Sequence, residues 1–286
     1  MKKVIKLAVV FAAAVLSGNL HAQEKKVELE NSLLWEISGN GLTESSYLYG
    51  TMHMMCEDDF LIKEKVEKAF ENTDKLALEL DFDDPSELMA MQSMTTSTTP
   101  LSERLSKEDY ATLDNFLQTK LGVKASQFEN YTLIGIMSVV MFKSLNCPPK
   151  MYEVEFMQQA MANKREILGL EKVEAQVTGF SESYTDEEFI EQLKYYNTSY
   201  FDEMVSIYKE ENLNGLYEMV TNEKFMDAEA KTILLDNPNK NWVTIMPEFM
   251  KAQPVFFAVG AGHLPGENGV INLLRNAGYS VKPVLK

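Results

Sequence analysis

The feature that most constrains the fold is a motif that occurs twice, once near each end of the chain. A short apolar segment, 47–49, runs into Gly-Thr-Met-His at Gly50–His53, and a second, 256–259, runs into Gly-Ala-Gly-His at Gly260–His263. A helical pattern and another strand pattern follow each copy. The shared order of strand, Gly-x-x-His, helix and strand predicts two βαβ-like units within one sheet.

Polar side chains gather where these predicted strands end. His53 and His263 each lie just beyond a strand, Glu79 and Asp81 lie at the end of a third, and Glu171 follows a fourth. Open α/β sheets bind ligands at the carboxyl ends of their strands, and a glycine there lets the backbone turn sharply. Imidazole and carboxylate together suit manganese, cobalt or zinc. We therefore expect a divalent-metal site on this rim.

Either Gly-x-x-His motif alone would be weak evidence for a functional site, because a histidine in a turn is usually a solvated turn residue. Glu79 and Asp81 alone could be a charged strand end. The occurrence of two such motifs in one chain is stronger evidence. The chain has only three histidines. His53 and His263 occupy the same position in the same frame, which favours a functional site over two unrelated turns.

The order of the predicted elements indicates the fold class. Strand patterns lie toward both ends and helical patterns between them, as in an α/β protein whose central mixed sheet carries a large helical insertion. We predict one domain over residues 23–286, with the insertion at about 83–250. Within it, the Met-, Ser- and Thr-rich stretch 89–100 predicts a loop or loose helix end, and Asn237–Asn239 predicts a helix break.

The first 22 residues have the pattern of a secretory signal peptide. Lys2, Lys3 and Lys6 precede a short apolar run, 7–16, and Ala22 offers a small residue for cleavage. We expect a periplasmic or secreted protein without stable membrane insertion, since no later apolar run is long enough to span a bilayer.

The net charge of the chain limits the kinds of partner that it can bind. The formal net charge is −16, and removal of the three N-terminal lysines makes it more negative. Such a surface repels phosphate backbones, so we expect no nucleic-acid partner. Two cysteines, Cys56 and Cys147, are compatible with one disulfide in an oxidising compartment or with two buried thiols.

Four segments together resemble the TraB/GumN family, which is grouped with the Tiki-type metallopeptidases and, more distantly, with erythromycin esterases and ChaN-like haem-binding proteins. The similarity spans roughly residues 33–284. The segments are Leu48–His53, Leu76–Asp81, Leu168–Glu171 and Val259–Gly266.

The resemblance implies metal-binding roles for His53 and His263, with Glu79 binding the metal or activating water. It also places Glu171 near the site. Where the family usually shows Arg-Asn, this chain has Lys240 and Asn241, which we predict to support the site from outside the metal's ligands. Lysine cannot form the bidentate contact that arginine makes with a carboxylate, so Lys240 could equally well only tether a helix.

The resulting expectation is a metal-dependent hydrolase, acting on a peptide or small molecule outside the cytoplasm. Glu79, or failing that Glu171, would transfer the proton, and Asp81 would orient an imidazole. One alternative is a non-catalytic haem- or metal-binding protein, with Tyr47 and Tyr49 as candidate haem ligands. Another is a protein that holds a peptide or partner in a groove of the helical insertion.

Overall fold

A computed structural model describes residues 28–286. The predicted signal peptide, 1–22, lies outside the described residues. The strands of the described part are β1 (Leu34–Ser38), β2 (Ser46–Thr51), β3 (Met55–Cys56), β4 (Lys75–Leu80), β5 (Pro149–Lys150), β6 (Glu166–Glu171), β7 (Val255–Gly260) and β8 (Ser280–Pro283).

Helices occupy most of the chain between the strands. They are α1 (Glu64–Glu71), α2 (Pro85–Thr95), α3 (Leu101–Arg104), α4 (Lys107–Leu121), α5 (Leu133–Leu145), α6 (Tyr152–Ala162), α7 (Val173–Ser183), α8 (Asp186–Gln192), α9 (Thr198–Lys209), α10 (Leu213–Val220), α11 (Ala228–Lys231), α12 (Asn237–Met250) and α13 (Val270–Asn276). Among residues 28–286, no helix combines the length and the apolar character needed to cross a membrane.

Six strands form one mixed sheet in the order β6-β4-β7-β2-β1-β8. β6, β4, β7 and β2 are mutually parallel, whereas β1 pairs antiparallel with both β2 and β8. β3 and β5 form a separate two-stranded ribbon. The mixed sheet with helices between its strands confirms the α/β class.

The core lies against the parallel half of the sheet. Every residue of β7 is buried, as expected for a parallel strand covered on both faces. A second apolar cluster lies among the helices of the insertion, and its fully buried members include Leu101, Leu113, Leu117, Ile136 and Val140. The insertion thus has packing of its own and reaches the sheet through β6.

The two Gly-x-x-His units meet at the centre of the sheet. β2 and β7 are parallel neighbours, with Gly50 opposite Val259 and Thr51 opposite Gly260. After β2 the chain passes through α1 to β4, beyond β7, whereas after β7 it passes through α13 to β8, beyond β2 and β1. The two connections therefore leave in opposite directions, which makes the gap between β2 and β7 a topological switch point.

The structure decides two predictions about the insertion. The stretch 89–100 contains a helix end, because α2 begins at Pro85, where the Asp84 side chain caps the Ser86 N–H, and ends at Thr95. The prediction of a helix break at Asn237–Asn239 is wrong. The chain continues from α11 through a π-helical turn, Thr232–Asp236, into α12.

A disulfide joins Cys56 to Cys147. The same region is held by the pairing of β3 with β5, in which Met55 lies opposite Lys150. Together these contacts attach the segment after His53 to the segment that leads into α6.

Removing the disulfide should destabilise the fold. The bond closes a loop with a sequence separation of 91 residues, and a cross-link over so long a loop restricts the unfolded chain, for a gain of roughly 2–4 kcal/mol. Replacing both cysteines by serine should lower the free energy of unfolding by that amount in denaturant titrations. Reductant should then change the wild type but not the variant, and equal stability of the two oxidised proteins would contradict this.

Candidate functional site

Three of the predicted site residues converge on Gly260, the last residue of β7. A β-carbon placed on Gly260 would lie 3.2 Å from Glu79 Oε1, 3.4 Å from His53 Nε2 and 3.6 Å from His263 Cδ2. The three side chains come from β4 and from the segments after β2 and β7. The carboxyl ends of three adjacent parallel strands thus meet at one point.

Glycine is needed in the two motifs because a side chain would not fit there, and not because the backbone makes a tight turn. The backbone φ of Gly260 is −52°, which any residue can adopt, and Gly50 is likewise not among the glycines with positive φ. A β-carbon on Gly50 would lie 3.1 Å from the α-carbon of Ala261. Gly50 therefore allows the two motifs to pack closely, and Gly260 keeps the site open.

His53 is held by a buried carboxylate. Its Nδ1 lies 2.9 Å from Glu153 Oε1, which also accepts a 2.7 Å hydrogen bond from the Thr51 hydroxyl. Partial desolvation of the imidazole lowers the pKa of His53, but the negative charges of Glu153 and Glu79 outweigh this effect and raise that pKa to about 10. The His53 side chain is 63% exposed, so solvent and solutes reach the imidazole while Glu153 holds its inner edge.

His263 is held by a neutral amide instead. Its Nδ1 lies 2.7 Å from Asn239 Oδ1, and the ring of Trp242 packs against it with 4.4 Å between centroids. Burial lowers the pKa of His263, an effect that the charge of Glu79 only partly opposes. The surroundings therefore shift the two imidazoles in opposite directions, raising the pKa of His53 and lowering that of His263.

Two carboxylates share one amide donor beside the histidines. Gln176 Nε2 donates to Glu171 Oε1 over 2.8 Å and to Glu79 Oε2 over 3.3 Å, while Glu79 Oε1 accepts the Gly260 N–H over 2.7 Å. Burial raises the pKa of Glu171 to about 7; the bond from Gln176 opposes that rise and the charge of Glu79 adds to it. Glu171 can thus gain or lose a proton near neutral pH.

By residue type, two imidazoles and a carboxylate are donors that manganese, cobalt and zinc accept. Both histidines use Nδ1 for an oxygen partner, which leaves Nε2 as the atom for a ligand, the arrangement common to metal-binding histidines. Glu153 Oε2 is buried without a hydrogen-bond partner in the described part of the chain. Within residues 28–286, however, no group of three or more His, Cys, Asp or Glu side chains is arranged so that it could hold a metal ion.

Three other predicted residues lie apart from the histidines. Asp81 accepts the Asp83 backbone N–H over 3.2 Å, and raises the pKa of the Asp83 carboxyl to about 6 through a shared hydrogen bond. Lys240 and Asn241 are exposed on α12. The residue of this segment that bonds an imidazole is Asn239.

Sequence reasoning missed four contributors: Glu153, Gln176, Asn239 and Trp242. Asn239 and Trp242 lie three residues apart on one helix, a spacing that puts both on one face. They flank Lys240 and Asn241, the pair predicted from the sequence, so this spacing could have identified them. Glu153 and Gln176 carry no such signal, since each is an ordinary polar residue of an amphipathic helix.

The structure places Tyr49, one of the two candidate haem ligands, inside the core. Tyr49 is 3% exposed, and its hydroxyl lies 3.0 Å from the Tyr208 hydroxyl. Its ring packs edge-to-face against Tyr152 and Phe156. Tyr49 is thus a packing residue.

Comparison with known proteins gives the family. Residues 33–283 match the model of the TraB/PrgY/gumN family. The chain belongs to this family. No curated protein matches it, and neither does any solved structure. Both Gly-x-x-His motifs, Glu79 and Glu171 fall within the matched range, so the site lies wholly inside the TraB/PrgY/gumN domain.

Replacing Gly260 with alanine should damage the site without straining the backbone. The added methyl group would press on Glu79 and His53, and displaced ligands typically cost roughly 10- to 100-fold in metal affinity. Calorimetric titration with Mn²⁺ measures this. Gly179→Ala is the control, because its methyl group would meet the nearest atom at an ordinary 3.4 Å. Affinity in G260A as high as in the control would contradict the placement.

Replacing Glu171 with glutamine should change how stability depends on pH. The folded-state pKa of about 7 exceeds the ordinary value of 4.5, so the folded protein binds this proton more tightly than the unfolded chain and loses stability as pH rises from 4.5 through 7. The stability of E171Q relative to wild type should therefore be higher at pH 8 than at pH 5 in urea titrations. Glu174→Gln, at an exposed position on α7, should show no such pH-dependent difference; equal pH dependence in E171Q and wild type would count against the raised pKa.

Proposed function

We propose that this member of the TraB/PrgY/gumN family is a metal-dependent hydrolase that cleaves peptides outside the cytoplasm. The observation that carries the proposal is the convergence of Glu79, His53 and His263 around Gly260. A carboxylate with a pKa near neutrality, Glu171, lies beside them and shares the Gln176 amide with Glu79. Metal ligands and a proton-transfer group are the parts that metal-assisted hydrolysis requires.

His53 and His263 would hold the ion through Nε2 and Glu79 through its carboxylate. Manganese, cobalt and zinc all accept this combination of nitrogen and oxygen donors. When bound, such an ion would supply Lewis acidity that polarises a substrate carbonyl. Glu153 and Asn239 keep the two Nδ1 atoms engaged, so that the ring orientations are set before any ligand arrives.

Glu171 is the residue we assign to proton transfer. A general base works best when its pKa lies near the working pH, and the value of about 7 meets that condition. Gln176 holds Glu171 and Glu79 in fixed relation, since its side-chain nitrogen donates to both. Glu171 would accept a proton from the attacking water and return it to the leaving amine.

Two features support a location outside the cytoplasm. The Cys56–Cys147 disulfide is typical of an oxidising compartment, and the first 22 residues have a signal-peptide pattern. Peptides as the substrate class rest on the resemblance to Tiki-type metallopeptidases. The exposed imidazole of His53 is compatible with an extended substrate, because it leaves the site open to solvent.

The proposal is tested by peptide cleavage with the purified mature protein. After metal removal, quenched-fluorescent peptides should remain intact, and adding Mn²⁺, Co²⁺ or Zn²⁺ should restore cleavage. His53→Ala and His263→Ala should each abolish the restored activity, because each removes a metal ligand. Glu171→Gln should bind metal normally yet lose most of its turnover.

The matched control is Asn241→Ala, an exposed change on the helix that carries Asn239. It should retain wild-type cleavage. Cleavage that survives in both histidine variants, or that is unaffected by metal removal, would disprove the proposal. Tight metal binding without cleavage of any peptide or ester would replace it with a metal-binding role.

A further inference from the structure

We infer that Asn239 is a positioning residue that holds His263 in the tautomer with its proton on Nδ1, and that a buried polar chain behind Asn239 sets the direction of its amide. The chain runs from Lys231 through Asp236 and Asn268. As a statement about metal binding the inference rests on the proposed function, but the tautomer itself can be measured without metal.

The direction of the Asn239 amide follows from its other partner. Asn239 Nδ2 lies 2.9 Å from the backbone oxygen of Asn268. A carbonyl oxygen can only accept, so the nitrogen end of the amide faces Asn268 and the oxygen end faces His263. Oδ1 in turn can only accept, which means that His263 Nδ1 carries the proton and Nε2 the lone pair.

The side chain of Asn268 is bonded to a largely buried ion pair. Asn268 Nδ2 donates to Asp236 Oδ2 over 3.0 Å, and Lys231 Nζ lies 3.0 Å from Asp236 Oδ1. Asp236 is 7% exposed and Asn239 is 2% exposed, so water competes little for these bonds. The network joins the loop after His263 to the helix opposite that histidine.

The π-helical turn gives this network its geometry. Thr232–Asp236 lies directly before α12, and a π-helical turn holds more residues than an α-helical one, which rotates the residues after it. Asp236 closes the turn, and Asn239 and Trp242 lie on the face of α12 that meets His263. Such turns are frequent at functional sites, and here it allows one helix to supply both the anchor and the imidazole partner.

The two histidines of the site are thus fixed in different ways. Glu153 fixes His53 with a carboxylate, whereas Asn239 fixes His263 with a neutral acceptor that adds no charge. His53 directs Nε2 toward Gly260, and His263 directs its Cδ2 toward the same residue. Without an acceptor at Nδ1, a neutral imidazole favours the proton on Nε2, where it would block a ligand.

The test is the tautomer of His263 in the metal-free mature protein, read from long-range ¹H–¹⁵N correlations after ¹⁵N-histidine labelling. Only His53 and His263 remain once the predicted signal peptide, with His21, is gone. Wild type should show a protonated Nδ1 and an unprotonated Nε2 for His263. Asn239→Leu should shift the proton to Nε2. Asn239→Asp loses the donor to the Asn268 carbonyl but keeps an acceptor for His263, so Nδ1 should stay protonated.

Two further variants separate positioning from general damage. Asn268→Ala keeps the backbone carbonyl but loses the link to Asp236, so it should show both tautomers. Asn241→Leu makes the same chemical change as Asn239→Leu at an exposed position, and should leave the pattern unchanged. Mn²⁺ affinity should fall roughly 10- to 100-fold in Asn239→Leu and stay near wild type in Asn239→Asp.

A wild-type spectrum with the His263 proton on Nε2 would overturn the inference, as would an Asn239→Leu protein that folds and keeps Nδ1–H. If Asn239→Leu does not fold, the same judgement rests on wild type, Asn239→Asp and Asn268→Ala. The predicted tautomers together with no metal binding in wild type would instead refute the proposed function and leave the positioning role of Asn239 standing.

Discussion

The parallel pairing of β2 with β7 is the constraint on which the rest of the site depends. Because Thr51 lies opposite Gly260, the segments after both strands start at the same height on the same edge of the sheet. Two histidines separated by 210 positions in the chain therefore end as neighbours. The two connections leave β2 and β7 in opposite directions, and α/β sheets place their ligands at the strand ends where such a change of direction occurs.

The helical insertion supplies the residues that hold the side chains at the strand ends in place. The Nδ1 atoms of the two histidines are bonded by Glu153 of α6 and Asn239 of α12, and Gln176 of α7 bridges Glu79 and Glu171. The Cys56–Cys147 disulfide and the β3–β5 ribbon tie the His53 segment to the start of α6. The insertion thus orients the side chains that the strands bring together.

The parts of the site that could be predicted from the sequence are those marked by a short local motif. The two Gly-x-x-His frames and the acidic strand ends each lie within a few residues of a recognisable strand, so their convergence follows from parallel pairing. The Glu153–His53 and Gln176–Glu79 bonds instead span 100 and 97 residues. Nothing near Glu153 or Gln176 distinguishes it, since the partner is chosen by tertiary packing. The π-helical turn was missed for a related reason, because Asn237–Asn239 has the composition of a break.

The central claim is that His53 and His263 form one metal site, and metal content tests it most directly. Purified mature protein exposed to manganese, cobalt or zinc and then freed of loosely bound ions should retain about one ion per chain by elemental analysis. The His53→Ala, His263→Ala double variant, checked for folding by circular dichroism, should retain none. Equal metal content in a folded double variant, or none in the wild type, would contradict the account.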